Sequence, residues 1–151
     1  MKIAIGNDHA GVDLKNKIIN HLTALGHQIA NFGTDTAERT DYPLYAEKVA
    51  QTVLSEKAVR GILICGSGVG MCISANKFHG IRAVVCSEPY SAVMSRRHNN
   101  SNVLCLGARV VGPELAREIV TAFLGARFTG NDPGGERHAR RVAKIRKLEA
   151  S

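Results

Sequence analysis

The sequence predicts an α/β fold: a doubly wound, Rossmann-like sheet of five parallel strands between helical layers. Three observations carry this expectation. Short aliphatic runs alternate with segments of helical apolar spacing along the chain, in the order βαβαβαβαβα. The run Ile62-Leu63-Ile64 is continuously aliphatic, as in a strand covered on both faces. Directly after it stands Cys65-Gly66-Ser67-Gly68-Val69-Gly70, a turn suited to passing from a strand into a helix. A chain of 151 residues fits a single domain over 1–151, with a linker at 125–135 and a terminal helix at 136–150.

Taken in order, Lys2 to Ile5 reads as the first strand, running into Gly6-Asn7-Asp8-His9-Ala10-Gly11. Val12, Leu14, Ile18, Ile19, Leu22 and Leu25 then recur at helical spacing up to Gly26, a stop residue. His27 to Phe32 is the second strand, followed by a polar loop to Asp41. Tyr42-Pro43 opens a helix to about Ser55, with proline where its missing N–H is harmless. The central strand and its Gly-rich turn lead into a short helix over Met71 to Phe78. Ile81 to Cys86 and Asn102 to Leu106 are the last two strands; helices follow over Glu88 to Arg97 and Pro113 to Leu124. The last helix, Glu136 to Ala150, has a thin apolar face of Val142, Ile145 and Leu148. It is expected to project beyond the linker and pack on a partner subunit.

Composition narrows the function. No apolar run approaches the ~20 residues of a membrane span, and the apolar part of Met1 to Gly6 is short for a signal peptide. Cysteines at 65, 72, 86 and 105 lack metal-ligand spacing and read as reduced thiols of a cytoplasmic protein. Much of the net charge of +7 lies in Arg137 to Lys147. A basic tail suggests nucleic acid, but aromatic interleaving is missing; arginines holding a small phosphorylated ligand give the same composition.

Polar residues collect where the strands end: Asp8 and His9, Asp41 and Tyr42, Cys65 to Gly70, Ser87 and Glu88, and Gly107 to Arg109. In a parallel sheet all of these share one edge, where ligands bind. The Gly-rich turn is neither a Walker loop nor the dinucleotide fingerprint, since Met71 stands where the latter needs glycine. It is either a catalytic or anion-binding loop, with helix-terminal dipoles favouring a thiolate, or a tight turn with Cys65 as a small buried hydrophobe. Asp8 is either a site carboxylate or a helix cap. His98 ends a helix, where a cationic imidazole is favoured, or is simply solvated. Arg137 and Arg141 share a helix face, either solvated or forming a phosphate clamp.

Several stretches also carry a family resemblance. Gly6-Asn7-Asp8-His9-Ala10-Gly11, Arg39-Thr40-Asp41-Tyr42-Pro43, Gly61 to Gly70, Ala75-Asn76-Lys77, Gly80-Ile81-Arg82-Ala83, Arg97-His98-Asn99 and Arg137-His138-x-x-Arg141-Val142 resemble the B type of ribose-5-phosphate isomerases. That family includes galactose- and allose-6-phosphate isomerases, and the match spans nearly the whole chain. The resemblance implies an aldose–ketose isomerase acting on ribose 5-phosphate and ribulose 5-phosphate, with no metal and no cofactor. It implies Cys65 as the base moving the proton between C1 and C2, and His98 as the residue assisting ring opening. Asp8, Tyr42, Asn99 and Gly66, Ser67, Gly68, Val69 and Gly70 would surround the sugar; His9, Arg109, Arg137 and Arg141 would hold the phosphate. It further implies a homodimer or higher assembly, with no nucleic acid or membrane partner, in which a neighbouring subunit brings His98, Asn99 and Arg109 to Cys65.

The chain departs from the family pattern in two places. Ser67 stands where many members have threonine, and Asn131-Asp132-Pro133 lengthens the linker before Arg137. Members without the cysteine use a carboxylate slightly later; Met71-Cys72-Ile73-Ser74 has none, which favours Cys65 over its rival Cys72. The alternatives are a hexose 6-phosphate isomerase and a non-catalytic sugar-phosphate-binding module.

Overall fold

The structure, a computed structural model, describes residues 1–150. Its strands are β1 (Lys2–Asn7), β2 (Gln28–Asn31), β3 (Arg60–Cys65), β4 (Ala83–Val85) and β5 (Val103–Gly107). They form one parallel sheet in the order β2-β1-β3-β5-β4. The helices are α1 (Val12–Ala24), α2 (Tyr42–Leu54), α3 (Val69–Ala75), α4 (Pro89–Asn99), α5 (Pro113–Gly125) and α6 (Glu136–Glu149). The expected doubly wound sheet is present. The chain goes outward from β1 to β2, then crosses back to β3 on the other side of β1. The switch point therefore lies between the carboxyl ends of β1 and β3, where an open α/β sheet leaves a crevice.

Side-chain alternation along the strands splits the core into two layers. Ile3, Ile5, Ile62, Ile64, Leu104 and Leu106 face α1 and α5, against Leu14, Ile18, Leu22, Ile119 and Phe123. Ala4, Leu63, Cys65, Val103 and Cys105 face α2 and α3, against Ala46, Val49, Ala50, Met71 and Ala75. Each fully buried aliphatic or aromatic side chain contributes about 1.5–3 kcal/mol. Cys65 is thus the last inward residue of a central strand, at the lip of the second layer.

Several element ends differ from expectation: α3 runs Val69–Ala75 rather than Met71 to Phe78, and β2 runs Gln28–Asn31 rather than His27 to Phe32. β1 runs two residues further, because its pairing with β3 continues to Asn7 opposite Ile64. β4 shrinks to three residues, since as an edge strand it has only β5 to pair with. The terminal helix does not project. α6 packs on α4 of its own chain and buries His138 and Val142, because the linker doubles back: the amide and hydroxyl of Thr129 both donate to the Arg97 carbonyl, at 3.0 and 2.8 Å. Ile145 and Leu148 stay exposed.

Candidate active site

Two adjoining clefts open at the switch point, about 580 and 760 Å³, and share Asp8, Tyr42 and Arg109. Cys65, 5% exposed, forms the floor of the first. The turn after it tightens because Gly68 adopts φ +80, where a Cβ would press on the Leu106 carbonyl carbon at 2.9 Å. That turn brings the Gly68 amide onto the Cys65 sulfur at 3.1 Å. Ser67 Oγ accepts from the Val69 amide at 3.3 Å, and the first intrahelical bond of α3 runs from Cys72 N to Gly68 O. The Gly70 and Met71 amides precede that bond and have no intrahelical acceptor.

Around this floor, Asp8 is both a cap and a cleft residue. Its Oδ1 accepts from the Ala10 amide at 2.9 Å, beginning a 3-10 turn over His9–Gly11, while the residue lines both clefts. His9 Nδ1 accepts from the Thr40 amide at 3.3 Å. In the neutral ring that leaves Nε2 as the donor. Tyr42 lies against α3, its ring so close that a Cβ on Gly70 would sit 2.6 Å away.

Arg109 belongs to the same chain's cleft. Its amide donates to the Gly66 carbonyl at 3.0 Å, and its Nη1 lies 3.3 Å from where a Gly66 Cβ would be. This corrects the expectation that a neighbouring subunit delivers it. β5 is the immediate neighbour of β3, so the residue two beyond its end lands beside the Gly-rich turn.

His98, Asn99, Arg137 and Arg141 are elsewhere. α4 starts at the carboxyl end of β4 and runs back, so it ends beside the start of that strand: Arg82 Nε donates to the Asn99 carbonyl at 3.1 Å. His98 stacks on His138 of α6, and Arg137 Nη1 donates to the Gly134 carbonyl at 2.6 Å. The structure brings Asp8, His9, Tyr42, Cys65 to Gly70 and Arg109 together, and leaves the other four at the opposite sheet edge.

The other thiols lie away from the cleft. Cys72 Sγ donates to the Ala83 carbonyl at 3.4 Å, and a hydrogen bond from the Cys105 thiol lowers its pKa to about 7. Burial pushes Cys86 up to about 11 and Cys105 well above the ordinary thiol range. The sequence reading did not assign Arg39, Thr40, Ile73 and Val110 to the site, yet they line the clefts. Ile73 was findable, one helical turn after Val69; the others depend on how loops fold back. Among the described residues no cluster of His, Cys, Asp and Glu has the arrangement of a metal site, and no helix is long and apolar enough to cross a membrane.

The family model for ribose/galactose isomerases matches residues 3–145. The chain belongs to that family. Within it, the chain is 55% identical to ribose-5-phosphate isomerase B of Escherichia coli over 148 residues, 98% of this chain and 96% of that one. It is 48% identical to D-erythrulose-4-phosphate isomerase of Pectobacterium atrosepticum over 146 residues, covering 96% and 93%. The solved ribose-5-phosphate isomerase B of Clostridium thermocellum superposes with a TM-score of 0.94 at 49% identity, covering 99% and 98%. Family membership makes the protein an aldose–ketose isomerase.

Proposed function

We propose that this isomerase interconverts D-ribose 5-phosphate and D-ribulose 5-phosphate through an enediolate, with Cys65 as the base. The observation that carries the reading is Cys65 at the switch point, its sulfur facing the Gly68 amide in a cleft shared with Asp8. Cys65 takes the proton from C2 of the open-chain aldose and returns it to C1. The hydroxyl proton on O2 leaves as O2 becomes the ketone, and O1 gains one. The Gly70 amide, which has no intrahelical acceptor, faces the negative oxygen as it forms, with Gly66, Ser67, Gly68 and Val69 completing the turn. Asp8 and Tyr42 hold sugar hydroxyls, and His9 and Arg109 hold the phosphate from the same chain. His98 opens the sugar ring, with Asn99, Arg137 and Arg141 beside it; these four come from a second copy, since within one chain they lie at the far edge. The Gly68 amide on the sulfur fixes the direction in which Cys65 faces the cleft.

The test is conversion of ribose 5-phosphate with a chelator present, for the parent and for Cys65→Ala. Activity in the parent that vanishes in a folded variant is the expected result. An active variant removes Cys65 as the base. A second reading concerns chain length: the Pectobacterium relative is named for a four-carbon substrate and the family description includes galactose. Four- and six-carbon sugar phosphates in the same assay settle it, as greater kcat/KM on either displaces ribose 5-phosphate. Inactivity on all of them leaves a sugar-phosphate-binding module.

A further inference from the structure

The rings of His98 and His138 lie face to face, with centroids 4.1 Å apart and planes within 5°. This stack is built by several elements. His138 is in the first turn of α6, its amide donating to the Gly135 carbonyl at 2.8 Å, and it is 5% exposed. His98 is in the last turn of α4, whose end is held by Thr129 on the Arg97 carbonyl and by Arg96 Nε on the Ala126 carbonyl at 3.4 Å. The linker thus fixes both backbones, and with them the overlap of the two rings.

The second torsion of a histidine is broad and roughly two-fold, so a half-exposed imidazole at a helix end does not hold one orientation by itself. Proton transfer to a sugar oxygen requires a ring nitrogen held within hydrogen-bond reach. We propose that His138 is a positioning residue: by stacking on His98 it sets the ring plane from which His98 opens the sugar. This rests on the role given to His98 above. The surroundings suit a neutral partner ring. Arg97 on α4 and Arg137 and Arg141 on α6 are the charged groups around the stack. Burial first, then His98 and these arginines, lowers the pKa of His138.

The experiment separates the ring step from the proton step. Ribulose 5-phosphate has its 5-hydroxyl esterified and stays open-chain, so exchange of its C1 proton with deuterated solvent reports the base alone. Net conversion of ribose 5-phosphate reports ring opening as well. His138→Ala is expected to slow conversion by roughly tenfold to a hundredfold, the effect of a misplaced reacting group, while exchange stays near the parent rate. His138→Phe, which keeps a flat ring, is expected to restore most of the conversion. Equal losses in both assays, or no loss in either, overturn the proposal. If the alanine variant fails to fold, His138→Gln, of similar size without a ring, replaces it; equal conversion by His138→Gln and His138→Phe overturns the proposal too. His98→Asn runs alongside. If it converts ribose 5-phosphate normally, the role of His98 itself falls; if it is slow while His138→Ala is not, only the positioning role falls.

Discussion

Cys65 and Cys72 flank the start of the same short helix, yet their surroundings assign them different chemistry. Cys72 is held near a pKa of about 7 by the Cys105 thiol, but its sulfur faces the Ala83 carbonyl rather than the cleft. Reactivity and catalysis should therefore separate. Cys72→Ala is expected to remove the fast iodoacetamide labelling near pH 7 while leaving turnover within about threefold, as for a substitution outside the reacting groups. Peptide mapping of the labelled protein together with the rate checks this; turnover lost with Cys72 transfers the base to it. Gly70 makes the second residue-scale case. Its missing side chain lets the Tyr42 ring lie on α3, and a methyl there would meet that ring at 2.6 Å. Tyr42 is partly exposed and can swing aside, so Gly70→Ala should displace the ring from the cleft with little loss of stability. The expected result is KM raised roughly tenfold with a thermal midpoint within a few degrees of the parent.

At the scale of elements, the cleft wall formed by the loop between β2 and α2 is anchored by one buried cation. Lys15 of α1 is 0% exposed, and its ammonium donates to the Thr34 carbonyl at 2.7 Å and to Asp35 Oδ1 at 2.5 Å. Asn7 Nδ2 donates to the same carbonyl at 3.0 Å. The loop then reaches Arg39, Thr40 and Tyr42 in the cleft. Lys15→Met keeps the volume and removes the tether, so KM should rise severalfold, while stability at neutral pH shifts by only about 1–3 kcal/mol because a desolvated charge is removed too. Acid dependence gives the sign. The Lys15 hydrogen bond holds Asp35 below its usual 3.8, so its contribution is full above that value and is lost as pH falls through the depressed one. Denaturant midpoints of parent and variant should draw closer as pH falls below 3.8 through the depressed Asp35 range, the Thr34 bond remaining; a gap that does not narrow contradicts the ion pair. None of this was legible from sequence. Lys15 sits beside Leu14 on an amphipathic helix and reads as solvated, with its partners twenty residues on. The strands were legible because buried aliphatic runs carry their own signature. Their ends were not, because pairing partners decide them: β1 lengthens in the sheet centre and β4 shortens at its edge. In the site, Cys65 to Gly70 was legible as a contiguous motif, whereas the contact between His98 and His138 depends on a linker fold that no local pattern encodes.

For the molecule as a whole, parallel topology separates the proposed chemistry into two halves. Everything following a strand end gathers at the Cys65 edge, and everything at the end of α4 lies at the other. A single chain cannot close that distance without dismantling the sheet between them, whose central strands are fully buried. If His98 acts on the sugar held over Cys65, the cysteine and the histidine come from different copies. Two-fold assembly then gives two sites per pair, each with one Cys65 and the other chain's His98. Complementation follows. Cys65→Ala and His98→Asn are each expected to be nearly inactive in ring-closed ribose 5-phosphate conversion. After unfolding and refolding together in equal amounts, half of the pairs are mixed, and each mixed pair holds one site with both wild-type groups. Activity should return to about a quarter of the parent rate, the fraction expected for random two-fold pairing. It should appear only on co-refolding and fall on dilution below the dissociation constant of the pair. Recovery that fails although mixed pairs are detected by mass spectrometry would mean that His98 serves no neighbouring Cys65, and that the Cys65 cleft works with the residues of its own chain.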